Sequence, residues 1–230
     1  DAFPAGRPPL EQAGLIFTDR ETVDKVEKMK VCTCLNPLHT ALAVFGCLLG
    51  FDTISDEMKN DTLKKLVEGI GYDEGLPVVT DPGVLDPRKF LDDVLKIRFP
   101  NPFMPDTPQR IATDTSQKLA VRFGETIRAY QSSPDLDVKA LKKIPLVFAG
   151  WLRYLRGTDD EGRPFQISPD PLADALCPYA ESGDIRPILE NEQIFGVDLC
   201  KIGLADTVEG YFEEMLTGCG AVRRTLEKYV

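Results

Sequence analysis

The sequence predicts a mainly α-helical domain with few or no strands, and three observations carry that expectation. Five capping residues stand immediately before a proline, at Asn36-Pro37, Asp86-Pro87, Thr107-Pro108, Ser133-Pro134 and Asp170-Pro171. Such a pair starts a helix, because the cap accepts an orphan N–H and proline gives up none that the first turn needs. Downstream of these starts, apolar residues recur at spacings of three and four. No stretch supplies a ladder of alternating strands, and no segment repeats at a fixed period.

Residues 1–14 are irregular and rich in proline and glycine, and Leu15 to Thr18 is apolar enough for one edge strand. Residues 1–20 therefore read as a junction and residues 21–230 as the helical domain. The best-defined helix begins at Asn36, a good N-cap, with Pro37 in the first helical position. Leu38, Ala41, Leu42, Phe45, Leu48 and Leu49 form its buried face. Ser55 to Glu68 is amphipathic and ends near Gly69, and Gly71 to Pro82 reads as a turn-rich loop. Asp86 opens a helix through Leu95. Prolines break the segment from Arg98 to Pro108, after which Thr107 caps a long helix from Pro108 to about Tyr130. Ser133 starts another that Pro145 should kink or break, and its apolar continuation, with Trp151, stops at Gly157. Thr158 to Pro169 reads as an exposed turn or small hairpin, and Asp170 caps the next helix. Asp206 to Leu216 and Ala221 to Tyr229 are helices separated by a Gly-Cys-Gly stop.

His39, the sole histidine, falls in the first turn of the Asn36 helix beside a small-residue stripe of Ala43, Gly46 and Gly50. The positive end of the helix dipole disfavours imidazolium, so this side chain is expected to be neutral at pH 7 and able to orient or polarise a polar group. The plainer alternatives are a structural histidine and, for Asn36, a mere N-cap. Lys30 stands six residues before Asn36, where it could fold back toward the same helix start. Burial beside positive charge there would suit a lysine to general-base chemistry, whereas its plainer alternative is a solvated lysine like Lys25 and Lys28.

The formal charge of −10 argues against a nucleic-acid-binding surface or an anionic membrane as partner, since both want a basic face. Six cysteines, at 32, 34, 47, 177, 200 and 219, include no C-x-x-C pair, and with a single histidine no zinc or other metal site is expected. Reduced thiols fit a cytoplasmic protein. No apolar run long enough to cross a bilayer is evident. The chain starts at Asp1 rather than methionine, which suggests a fragment of a longer protein.

A nucleotide-binding glycine loop follows a strand and opens a helix; the nearest match, GIGYDEG at Gly69 to Gly75, follows a helix and is rejected. G-x-S-x-G, P-loop and H-E-x-x-H patterns are absent. What remains is Arg110, Asp114 and Lys118 at i, i+4 and i+8. This is either an ion-pair stripe worth about 0.3 to 0.5 kcal/mol per pair or a pair of cationic donors for an oxygen-rich ligand.

LNPLHTALAVFG with the preceding Met29 and Lys30, RFPNP from Arg98 to Pro102, and RIATDTSQK from Arg110 to Lys118 together resemble the C-terminal domain of the polyol-specific long-chain dehydrogenases and reductases. The opening DAFPAGRPPLEQAG resembles that family's junction after its N-terminal Rossmann domain, and RPFQISPDPLADAL resembles a later segment. The resemblance implies a multi-helical substrate domain of the 6-phosphogluconate-dehydrogenase-like type, whose Rossmann partner, and with it most of the NAD or NADP site, lies outside this chain. It implies metal-independent hydride transfer between NAD(P) and a linear sugar acid or polyol: fructuronate and D-mannonate first, with mannitol and fructose as the alternative. A non-catalytic helical interaction module is the alternative from another class.

By the same resemblance, Lys30 is the general acid/base, Asn36 binds the reacting oxygen and His39 holds the substrate or the lysine in position. Arg110 and Lys118 contact substrate hydroxyls. The resemblance does not assign the cation that a hexuronate carboxylate needs; Arg7 is a candidate, with a junction ion pair as its plainer role. The pattern departs from the family in two places. Five residues, Val31 to Leu35, separate Lys30 from Asn36 where the family has four, so Lys30 is displaced or a bulge absorbs the extra residue. The usual Asp-Gly-Ser reads Asp114-Thr115-Ser116.

Overall fold

The computed structural model describes residues 3–230. Residues 3–19 carry one turn of 3₁₀ helix at Leu10–Ala13, and the edge strand expected at Leu15 to Thr18 does not form, since no strand among the described residues offers it a partner. Asp19 then caps α1 (Arg20–Met29) by accepting from Thr22 N at 2.8 Å. Beyond α1 the chain stays helical. A π-turn over Lys30–Cys34, closed by Leu35 N donating to Lys30 O at 3.1 Å, joins it to α2 (Asn36–Leu49). A π-turn holds one residue more than an α-turn, so this is the bulge that takes up the fifth residue between Lys30 and Asn36.

Lys30 lies outside α2, as expected, and opens the π-turn that continues α1. The run from Arg20 to Leu49 corrects one expectation. By length and composition it could cross a bilayer, but 78 % of its most apolar window is buried, as in a core helix. The core is built around α2, where every residue from Thr40 to Leu48 is buried. Two glycines let it be approached closely. A Cβ on Gly46 would lie 2.2 Å from a Glu57 oxygen, and one on Gly150 would lie 2.5 Å from the Phe45 ring.

The helix expected over Ser55 to Glu68 is two, α3 (Ile54–Glu57) and α4 (Asp61–Glu68), because Asn60 caps the second by accepting from Thr62 N and Leu63 N. Gly69–Gly75 continues α4 as a π-segment instead of forming a loop. It delivers Glu74, whose carboxylate accepts from the N–H groups of Lys142, Lys143 and Ile144 at 2.6, 2.7 and 2.9 Å. That distant carboxylate caps α8 (Lys143–Tyr154), so Pro145 lies in the first turn, where no N–H is missed, and does not kink the helix. Between these lie α5 (Pro87–Asp93), capped by Asp86, α6 (Pro108–Ile111), capped by Thr107, and α7 (Glu125–Ser132). Ser133 ends α7 rather than starting a helix.

Thr158 and Pro164 form an isolated antiparallel bridge, the remnant of the expected hairpin. Its tip, Glu161 to Pro164, is exposed as expected, but the turn begins on buried residues: Asp159 and Asp160 are buried, and Asp160 accepts from Val222 N at 2.7 Å. The remaining helices are α9 (Ala173–Ser182), α10 (Arg186–Leu189), α11 (Glu192–Phe195), α12 (Ala205–Met215) and α13 (Ala221–Tyr229). Phe123 of the Ala120–Gly124 turn, Phe148 and Trp151 of α8 and Phe195 of α11 pack in edge-to-face and tilted pairs, with ring centroids 4.7 to 6.0 Å apart. The fold is thus helical as predicted, and its regular packing leaves the irregular backbone around the first turn of α2.

Candidate active site

Asn36 is not the N-cap of α2. Leu35 occupies that position and Asn36 the first helical one, with no capping bond from its side chain. The π-turn shifts the helix start by one residue and so leaves the Asn36 carboxamide, half-exposed, free of a capping duty. His39 follows three residues on, one helical turn away and on the same side. Its side chain is 12 % exposed and Nε2 lies 3.4 Å from an Asp106 carboxylate oxygen. No hydrogen bond joins them, and Nε2 is buried without a partner. The Phe99 ring lies against the imidazole with centroids 5.1 Å apart. Burial above all pushes His39 down to about 4; Asp106 opposes this, and Arg98, Arg122 and Arg110 add to it. The imidazole is therefore neutral at pH 7, as its position in the sequence predicted, but chiefly because of burial rather than the helix dipole.

The long helix expected from Pro108 to Tyr130 does not exist, and with it goes the stripe of Arg110, Asp114 and Lys118 on one face. The chain turns at Asp114, which has φ 53°, the only non-glycine positive φ among the described residues. Distant contacts impose that turn. Asp114 N donates to Pro169 O at 2.8 Å, while Ser116 N and Oγ donate to the Asp170 carboxylate at 2.8 and 2.5 Å. Arg110 instead pairs with Asp106, one turn before it, and so joins the His39 group. Lys118 donates to Thr113 O; burial and Arg122 lower its pKa, against Asp114 and Asp170. Arg122, on a π-turn at Ala120–Gly124, donates to Thr40 Oγ1 at 2.6 Å beside His39.

His39, Asp106, Arg110, Lys118 and Arg122 thus gather at one end of α2, with Arg98 at its edge. Arg110 and His39 are brought together through Asp106, and Lys118 through Arg122. Asp106 and Arg122 were not singled out from the sequence. The first left a signal, an aspartate four residues before Arg110; the second left none.

Lys30 is placed differently. No hydrogen bond or ion pair among the described residues joins it to Asn36 or His39; its ammonium lies 5.4 Å from the centroid of the Phe90 ring. It lines a 300 Å³ groove with Gly14, Ile16, Thr18, Val23, Val26, Val84 and Leu85. Phe90 and Phe99 stand at opposite ends of one helical run, α5 continued by a π-turn at Val94–Arg98. Nine residues of helix place them on the order of 13 Å apart, so Lys30 and His39 flank the same run from its two ends. Ile16, Val23 and Val84 are about half exposed, which leaves an apolar rim around Lys30. Arg7 pairs with Glu11 within the junction, the plainer of its two expected roles.

A neutral imidazole with a free nitrogen, an uncommitted carboxamide and several guanidinium and ammonium donors suit a small, oxygen-rich, anionic ligand. The residues do not fit a dinucleotide. The one glycine-rich segment, Gly69–Gly75, is packed shut, with a Cβ on Gly71 lying 2.9 Å from Leu91, so no pyrophosphate could enter there.

Residues 22–216 match the mannitol dehydrogenase C-terminal domain family. The chain is 59 % identical to D-mannonate oxidoreductase of Thermotoga maritima over 242 aligned residues, covering 100 % of this chain and 45 % of that protein. It is 33 % identical to mannitol 2-dehydrogenase of Emericella nidulans, covering 86 % of this chain and 39 % of the other. Among solved structures it resembles Pseudomonas fluorescens mannitol 2-dehydrogenase, in a ternary complex with NAD and D-mannitol. The TM-score is 0.82 and the identity 25 %, over 99 % of this chain and 45 % of that one. The chain spans less than half the length of these relatives. It belongs to the mannitol dehydrogenase C-terminal domain family.

Proposed function

We propose that this chain is the substrate-binding half of an NAD(P)-dependent oxidoreductase that interconverts a keto-hexuronate and its aldonate, of the fructuronate and D-mannonate kind, without a metal ion. The observation that carries the reading is the 59 % identity to D-mannonate oxidoreductase along the whole chain, against 33 % to a mannitol 2-dehydrogenase. The gathering of polar donors around His39 favours it over a helical interaction module, which would present an apolar groove alone.

The remainder of the protein, N-terminal to this chain, would hold NAD(P), which supplies the hydride donor or acceptor. This chain's residues act on the substrate's oxygens and proton. Reduction of a ketone builds negative charge on its oxygen, and the Asn36 carboxamide donates to it where that charge appears. His39, neutral and with Nε2 free, takes a hydrogen bond from the neighbouring hydroxyl or gives one to it, according to tautomer. Arg110 and Lys118 bind further hydroxyls. Lys30 delivers the proton to the alkoxide and recovers it in the reverse direction. Its place in a groove with an apolar rim supports this role, because the N-terminal half would close that groove and exclude water from around the lysine where it meets the substrate oxygen.

The test is steady-state kinetics of the full-length enzyme with D-mannonate and D-mannitol. D-mannonate should be the preferred alcohol, and Lys30→Ala should lower kcat on it by roughly 10² to 10⁴ with little change in KM. Preference for D-mannitol would overturn the substrate class, and equal modest losses in kcat and KM would remove Lys30 from the chemistry.

A further inference from the structure

Arg122 stands apart from the other arginines. Arg7, Arg110, Arg128, Arg163 and Arg186 each pair with a carboxylate, and Arg153 and Arg156 donate to backbone carbonyls. Arg20 is also paired, and Arg88, Arg98, Arg223 and Arg224 are exposed to solvent. Arg122 is partly buried, yet no carboxylate or carbonyl accepts from it among the described residues. Its single hydrogen bond runs from Nη1 to Thr40 Oγ1 at 2.6 Å. Thr40 is itself fixed, since its hydroxyl donates to Asn36 O at 2.9 Å. One of the five guanidinium N–H donors thus anchors the group, and the others reach solvent rather than being sealed in.

An unpaired, partly buried cation is costly to keep, and this chain, at a formal charge of −10, is not short of carboxylates to pair with it. Of the acids around this end of α2, Asp106 pairs with Arg110, Asp170 with Ser116 and Glu125 with Arg128, while Asp114 faces Lys118. The burial that pushes Arg122 down to about 10 goes unopposed by any acid, and Arg122 in turn lowers both His39 and Lys118. The guanidinium therefore sits within electrostatic reach of both proposed substrate-binding groups with its fork unoccupied. A planar fork with free donors is the geometry that receives a carboxylate in two parallel bonds.

We propose that Arg122, anchored by Thr40, binds the carboxylate of the sugar acid and so sets the preference for a keto-hexuronate over a neutral ketose; this rests on the substrate class proposed above. Arg110, spent on Asp106, is left to hydroxyls. The experiment compares D-fructuronate with D-fructose, which carries CH₂OH where the first has carboxylate, in the full-length enzyme and its Arg122→Gln and Arg122→Lys variants. The ratio of kcat/KM for D-fructuronate over D-fructose should fall about 100-fold in Arg122→Gln, through KM rather than kcat, as expected for losing a charge-assisted bidentate pair. Arg122→Lys, which keeps the charge and loses the fork, should restore about tenfold of that ratio and gives the readout should the glutamine variant not fold. An unchanged ratio in either variant, or a weakened Kd for NADH in its place, overturns the assignment. If the wild-type enzyme turns over D-fructose in preference to D-fructuronate, it is the substrate class that fails.

Discussion

Two buried titratable side chains meet α2 seven residues apart and behave in opposite ways. His39, on its first turn, keeps 12 % of its side chain exposed, faces Asp106 at 3.4 Å and feels Arg98, Arg110 and Arg122. Glu57, pressed against Gly46, is 0 % exposed, has no partner for either oxygen, and is pushed well above the usual carboxylate range by burial alone. Both are neutral at the pH where their free counterparts divide or ionise. The imidazole stands among charges with one edge exposed; the carboxyl is sealed between helices beside the Cys47 thiol, itself pushed up to about 12. Burial and an unsatisfied atom do not by themselves mark a site. What separates the two is the exposed edge of the imidazole, together with the cationic side chains gathered around it.

Several measurements would break that contrast or sharpen it. The largest expected effect is on catalysis: in the full-length enzyme His39→Gln should lower kcat/KM on D-mannonate about 100-fold or more, while Glu57→Gln should leave it within about threefold. Comparable losses from both would erase the distinction.

Next comes stability against pH, where the two groups act with opposite sign. His39 has a folded-state pKa depressed from 6.5 to about 4, so its contribution is complete above 6.5 and is lost as pH falls through 4. Relative to His39→Gln, the wild type should lose on the order of 3 kcal/mol across that window in urea unfolding. Glu57 is raised, so its contribution is complete below its ordinary value of 4.5 and is lost as pH rises through its folded-state pKa. Glu57→Gln should therefore gain stability relative to the wild type as pH rises above 4.5; a difference independent of pH would mean the carboxyl is not held neutral.

The smallest effect concerns Asp106. Its Arg110 partner is 60 % exposed, so Asp106→Asn should change stability by no more than about 1 kcal/mol, and the KM for D-mannonate should rise a few-fold as Arg110 loses its anchor. A loss as large as that from His39→Gln would make Asp106 a direct participant instead.

Much of the architecture was legible because helix starts are local chemistry: Asp86 and Thr107 cap helices where cap and proline announce them. The helix at Arg20–Met29 was legible too and was passed over, although Asp19 as cap and the Arg20–Asp24 and Glu21–Lys25 spacings all signal it. The rest required partners remote in the chain. Asp114 adopts a left-handed conformation because Pro169 and Asp170 hold the residues around it, and Pro145 sits in a first turn because Glu74 caps it from 70 residues away. Of the site, His39, Arg110 and Lys118 were visible as residue types at a spacing. Their grouping through Asp106 and Arg122 was not, since both contacts are set by how α6 and the Ala120–Gly124 turn pack on α2.

The most direct test uses the fact that His39 is the only histidine in these 230 residues. Its imidazole gives one set of ring-proton resonances, and their shift with pH reports its protonation alone. A midpoint near 4 is expected, with no titration between pH 6 and 8. A midpoint at or above 6.5 would mean a solvated or carboxylate-paired imidazolium, and the neutral, unpartnered nitrogen on which the site is built would not exist.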